Sequence, residues 1–452
     1  MKKLHYLTAT LLLSLLCNVS IGQTTDSTNT TTFVNAKKAT PKGVINEYRR
    51  SSLYSVLLEH PKLKYGETID SVFLSIPTPD KFNSHDLAVK SFESTAKKSK
   101  RRGKAKEKAN AIDINKFINE KHIAKDLVAK WFNRKDSDGT FGMDLIYERG
   151  YYDASSQSIK KADNSLLGKA VLADAGEDLI GKTFLLVNDI TFIDHGENSA
   201  KASKYLKMFG EFASAATGDD SYQEIANTTG DVVNEIDGFA LNITSYLYCL
   251  EWNEEISATF YECLWQDESC PSPERKEAFD ASDIFKLRYV GRTTTTAQNF
   301  ASKNFSARTK KQQMSKTCTR AIDKSIVELQ REYDEFKVNV PITQVNEDGT
   351  VNVPIGLKEG LNEKSVYDVM IATKNEENKT IYEKVGRIKP VKGKIWDNRF
   401  GALEDAEEDI NGDDDEAKIG NAKLTSSTFE ITRGKNKIFS GCLTREVTIK
   451  RN

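Results

Sequence analysis

Histidine and cysteine, the side chains most often recruited for metal binding and nucleophilic chemistry, are scarce in this 452-residue chain, which has five histidines and six cysteines. It contains no HExxH, no CxxC and no phosphate loop, so zinc hydrolysis and nucleotide chemistry lack their usual signatures. No GxSxG surrounds a serine, which removes the commonest esterase signature. Past residue 22 the cysteines are Cys249, Cys263, Cys270, Cys318 and Cys442, an odd and sparse set that excludes a disulfide scaffold. An excess of one charge sign is lacking as well. Lys and Arg total 65 and Asp and Glu 66, a net charge of −1 that moves to about −3 if Lys2 and Lys3 leave with a leader. That balance points to neither nucleic acid nor a membrane surface. Beyond the N-terminus no run approaches the roughly 18 apolar residues of a membrane helix, and no train of evenly spaced lipid-facing strands marks an outer-membrane barrel.

The N-terminus carries a positive signal. Lys2 and Lys3 precede the apolar stretch "LTATLLLSLLC" (7–17), and the small-residue exit "NVSIGQ" follows it. This is the form of a secretory signal peptide over residues 1–22, with Ser20 and Gly22 at the positions a signal peptidase reads and Gln23 as the mature start. A lipid anchor at Cys17 fits less well, because Leu16 before it is large. The expected location is outside the cytoplasm: periplasmic, outer-membrane-associated or extracellular.

Residues 23–43 are Thr/Ser/Asn-rich and predict a disordered spacer. Residues 44–96 hold two apolar runs, "SLYSVLL" and "SVFLSI", and read as an N-terminal structured segment in which either two strands or a strand and a helix are compatible with the pattern. The block "KKSKRRGKAKEK" (97–108) is expected to repel itself open as part of a basic linker over 97–112, with contact to an anionic envelope component as the alternative. Residues 113–336 predict a mixed α/β domain. Its elements are a helix from Asp113, a strand at "FGMDLIYE", a buried central strand at Thr183–Ile193, a hairpin of "GFALNITSYLYCLEW" with "EISATFYECLW", a strand at "IFKLRYVG", and a long helix whose Met314, Cys318, Ala321, Ile322, Ser325 and Leu329 share one face. From 337 to 452 short alternating strands between Gly, Asn and Asp turns predict an all-β domain, with the acidic stretch 403–420 as a loop. The fold class is thus α+β: a mixed α/β central domain followed by an all-β C-terminal domain.

Three places invite chemistry. The run "TFLLVNDITFIDHGEN" (183–198) empties into Asp194, His195 and Glu197, beyond the carboxyl end of a strand, where α/β sheets collect catalytic groups. The competing reading makes the same residues a turn at Gly196 and the capped start of a helix. Asp409, Asn411 and Asp413 resemble a calcium loop, but Gly412 and Asp414 stand at the wrong positions and Gly420 replaces the bidentate glutamate. Cys263 and Cys270, flanking "LWQDES", are the candidate disulfide. No cofactor is implied.

Together the stretches "EYRRSSLYSVLLEHPKLKYGE", "GKAVLADAGEDLIGKTFLLVNDI" and "VGRIKPVKGKIWDNR" resemble uncharacterised exported proteins of Bacteroidota-type bacteria. That resemblance implies export and no known activity. The expectation is an exported, non-enzymatic cell-envelope protein that serves assembly or binding, its partner an envelope protein or a glycan. The alternative is an exported hydrolase or metal-dependent enzyme with its site near Asp194, His195 and Glu197.

Overall fold

Strand β1 (Ser52–Glu59) reads SLYSVLLE and is buried along almost its whole length. A strand so apolar on both faces needs cover on both sides, which the middle of a sheet between helical layers provides. The computed structural model, described over residues 49–63, 65–95, 104–150, 176–194, 236–302, 310–375, 380–408 and 414–447, places it so. In chain order the first sheet is built from β1, β2 (Asn83–Ser84), β3 (Ser91–Glu93), β4 (Thr183–Asp194), β5 (Ile236–Leu250) and β6 (Leu287–Ser302), in the spatial order β2-β1-β4-β5-β6 with β3 also on β1. β1 and β4 run parallel from Ser52↔Thr183 to Leu58↔Asp189, whereas β4–β5 and β5–β6 are antiparallel.

The period-2 alternation of these strands divides the core in two. Tyr54, Val56 and Leu58, with Leu185, Val187, Tyr246 and Tyr248, pack under helices α2 (Lys104–Glu120) and α3 (Ile123–Trp131). Leu53, Leu57, Phe184, Leu186, Leu241 and Leu247 face the other way, onto α1 (Gly66–Phe73) and the long α7 (Lys310–Glu332). α7 presents Met314, Cys318, Ala321, Ile322 and Leu329 to that layer, as its sequence spacing predicts. Among the described residues no helix is long and apolar enough to cross a membrane.

The second sheet is antiparallel, in the order β7-β13-β10-β11-β12-β9-β8, with its own core around Ile342, Val353, Val369, Ile388 and Phe429. Its strands are β7 (Val340–Pro341), β8 (Gln344–Val345), β9 (Val351–Val353), β10 (Tyr367–Lys374), β11 (Thr380–Pro390), β12 (Ser427–Arg433) and β13 (Leu443–Glu446). The expected fold class, mixed α/β followed by all-β, is the one observed. α7 is the wall between the two parts: Arg331 donates from Nη2 to Glu446 of β13 at 2.8 Å and to the Gly360 carbonyl at 2.9 Å.

Five expectations need correction. Residues 44–96 are no separate segment, because β1 has no core of its own and completes the central sheet beside β4. The expected basic linker 97–112 becomes helix from Lys104 onward, since Ile114, Phe117 and Ile118 join the core beneath its charges and Ala109 is buried with them. "FGMDLIYE" is not a strand; it runs into helix α4 (Asp144–Gly150). "EISATFYECLW" is not the second arm of a hairpin, because Asn253 caps helix α5 (Glu254–Thr259) by accepting the Ile256 N–H at 3.0 Å, and a π-helical turn, Phe260–Leu264, and helix α6 (Pro273–Ala281) follow. β6 takes the vacant place beside β5. The acidic stretch 403–420 is not one long loop: α8 (Ala402–Glu408) and α9 (Asp414–Lys423) flank residues 409–413, and Asp405 of α8 is held by Lys316 and by Arg320 of α7, the latter at 2.7 Å. The leader 1–22 and the spacer 23–43 lie outside the described residues.

Candidate functional site

Charge inside an apolar strand demands partners, because an unpaired buried carboxylate is costly. β4 carries such a charge at Asp189, fully buried opposite Leu58 of β1 and Thr244 of β5. Three residues converge on it. His60, just past the end of β1, places Nε2 2.7 Å from Oδ1. Lys106 and Asn110, one turn apart on α2, place Nζ and Nδ2 each 2.7 Å from Oδ2. Asn110 Nδ2 also reaches the Tyr246 hydroxyl at 3.1 Å. Burial alone would raise the Asp189 pKa, but the His60 hydrogen bond and the Lys106 charge outweigh it and hold the carboxyl below its usual range. The same burial, with the charge of Asp189 added, pushes the Tyr246 phenol up to about 12. Nearby on α1, burial and the charge of Glu59 push Asp70 up to about 6.

An imidazole oriented by a buried carboxylate is the pairing general-base catalysis uses. Here, however, both carboxylate oxygens are already engaged by groups from β1 and α2, and among the described residues no serine, threonine or cysteine is hydrogen-bonded to His60. The centre joins α2 to the sheet. On the opposite face Asn188, Ser55, Ser245 and Ser325 form a second polar stitch, with Ser245 Oγ 2.7 Å from Asn188 Oδ1 and 3.0 Å from Ser325 Oγ of α7.

A third polar group is sealed in the core. His85 is fully buried, with Nε2 2.9 Å from the Leu127 carbonyl and Nδ1 3.0 Å from Arg149 Nη1. Burial first, and the Arg149 charge second, push its pKa down to about 3, so it is neutral and Nδ1 accepts from Arg149. Arg149 also stacks over Trp131, 4.3 Å from the ring centroid.

Open space lies at the other end of the parallel strands. A cleft of about 210 Å³ sits at the amino ends of β1 and β4, where the C-terminal sheet closes over them. Five basic side chains line it: Arg50 from ahead of β1, Lys81 from the turn before β2, Lys182 from ahead of β4, Lys337 after α7, and Arg445 of β13. The two acids in the lining are engaged, Asp334 by Lys337 at 2.5 Å and Glu335 by Arg288 at 2.5 Å. Arg50 lies over the Tyr382 ring, 5.4 Å from its centroid. Nε of Arg445 and Oδ1 of Asn339, both buried in the lining, have no hydrogen-bond partner. Among the described residues no hydrogen bond or ion pair engages the Lys81 ammonium, and burial pulls it below the usual lysine range against the opposing pull of Glu359 and Asp80.

The positions singled out in the sequence lie elsewhere. Asp194 ends β4, and His195, Glu197, Asp409, Asn411 and Asp413 lie outside the described residues. Cys263, in the π-helical turn, and Cys270, bridged to Asp267 through the backbone, are exposed free thiols, so the candidate disulfide is not formed. Among the described residues no group of His, Cys, Asp and Glu side chains could hold a metal ion. Sequence reasoning overlooked Asp189, although an Asn-Asp pair inside an otherwise apolar strand was a readable signal for a buried polar site. No protein-family model matches this chain, and no curated protein matches it.

Proposed function

We propose that this is an exported, non-enzymatic protein of the cell envelope that works by binding, and that its ligand seats in the basic cleft between the α/β domain and the β domain. One observation carries the reading: the cleft is an open volume lined by charged side chains from both domains, whereas the Asp189 centre is closed on itself by its own hydrogen bonds. A cleft whose lining carries five basic side chains against two acids has an excess of positive charge, which attracts anions. The leader-like N-terminus supports export. The test is co-sedimentation of the purified chain with washed envelope fractions, comparing the native protein with Lys81→Glu, together with the mass of the mature N-terminus from the native host. Retention by the envelope that the charge reversal removes supports the reading. Retention untouched by it, or a cytoplasmic protein that keeps residues 1–22, contradicts it.

A hydrolase is the second reading, favoured by the 2.7 Å His60–Asp189 contact. In that case His60 Nδ1 is the base, and His60→Ala abolishes turnover of any ester or glycoside substrate the native protein cleaves.

A further inference from the structure

We infer that the cleft takes an anionic carbohydrate, a sugar residue bearing a phosphate or a carboxylate, held by Lys81 and Arg445 on the anion and by Asn339 on a hydroxyl. The inference rests on the binding reading above and adds the chemistry of the ligand.

Two features of the lining demand different partners. Lys81 and the Nε–H of Arg445 are donors without a protein acceptor, and both suit an anionic oxygen. Asn339 Oδ1 is an acceptor without a donor, and a bare anion cannot satisfy it. A sugar carries both on one rigid ring, an anionic substituent and hydroxyls that donate. Size agrees. Sites for drug-sized ligands run to roughly 300–1,000 Å³, so a cleft of about 210 Å³ suits one sugar residue, free or at the end of a longer chain. An acidic peptide brings the anion, but an extended backbone does not fit that volume. The acids near Lys81 are occupied: Asp334 and Glu335 of the lining are held by Lys337 and Arg288, Asp80 by Lys358, and Glu359 by the Gly356 N–H and Asn398.

Calorimetric titration of the full chain tests this with five probes: glucose 1-phosphate, glucuronate, glucose, inorganic phosphate and an acidic dipeptide. Binding of either anionic sugar, stronger than of inorganic phosphate and absent for glucose, is expected, and the phosphate and carboxylate arms separate the two sources of charge. Lys81→Gln removes a charged contact and is expected to weaken the sugar by about tenfold or more without lowering the thermal unfolding midpoint, since no protein partner is lost and an unpaired buried charge is removed. Asn339→Ala is expected to weaken the sugar but not inorganic phosphate. The inference is overturned if neither anionic sugar binds, if the dipeptide binds more tightly, or if Lys81→Gln leaves affinity unchanged. If envelope retention depends on Lys81 while no anionic sugar binds, the ligand class is wrong and the binding reading stands. If retention ignores Lys81, the binding reading itself falls.

Discussion

Replacing Asp189 with alanine removes a carboxylate that accepts from three donors at 2.7 Å and strands all of them. Breaking a buried ion pair by deleting one partner costs about 3–5 kcal/mol, most of it the uncompensated charge left behind. The cost should fall near the lower end. The Lys106 side chain is 27% exposed and that of His60 12%, so both can regain some water, while Asn110 at 1% cannot. About 3 kcal/mol is therefore expected, a change of roughly two orders of magnitude in the folding equilibrium. Because the native carboxyl titrates below its unfolded value, the stability it contributes is present above about pH 4 and is lost as pH falls through the native pKa. Urea unfolding followed by circular dichroism at pH 7 measures the effect. The double variant Asp189→Ala/Lys106→Met should recover part of the loss, because it no longer strands the ammonium. A single-variant cost below about 1 kcal/mol would refute the argument that this centre holds α2 to the sheet.

Three further outcomes follow from particular residues. His85, with a native pKa of about 3, should stay neutral by NMR at pH 5; its contribution to stability is complete above about pH 6.5 and declines as pH falls toward 3, by about 2 kcal/mol at pH 5, and a titration midpoint near 6.5 would contradict its burial against Arg149. Asn253→Ala should cost about 0.5–2 kcal/mol in urea unfolding by removing the cap of α5, whereas no cost would favour the hairpin that the sequence suggested. Gly434→Ala should destabilise the β domain, because φ is +80° there and the added Cβ would stand 2.1 Å from the Val385 carbonyl oxygen; an unchanged thermal midpoint would show that turn to be misplaced.

The elements legible in the sequence were those whose burial is periodic over many residues. α7 keeps one apolar face for six turns, β4 is apolar on both faces, and the C-terminal strands alternate between turn residues. Segments governed by distant partners misled. The charges of "KAKEK" look self-repelling, yet Lys106 meets Asp189 and Glu107 meets Arg292 at 2.8 Å, so part of the block is compensated and its helix forms. "EISATFYECLW" has strand-like residues, but an Asn cap and the packing of Phe260 against Phe132, Phe141 and Phe279 make it helical. His60 pairs with a carboxylate 129 positions away, which no local spacing can announce. The cleft draws single residues from both domains, so it exists only once the chain has folded.

Function belongs either to the cleft at the amino ends of β1 and β4 or to the Asp189 centre at their carboxyl ends. Envelope retention of Lys81→Glu and of His60→Ala, measured side by side with the native chain, decides it. Retention lost in Lys81→Glu and kept in a folded His60→Ala is the predicted result. The reverse pattern would move the functional site to the Asp189 centre and contradict the binding cleft.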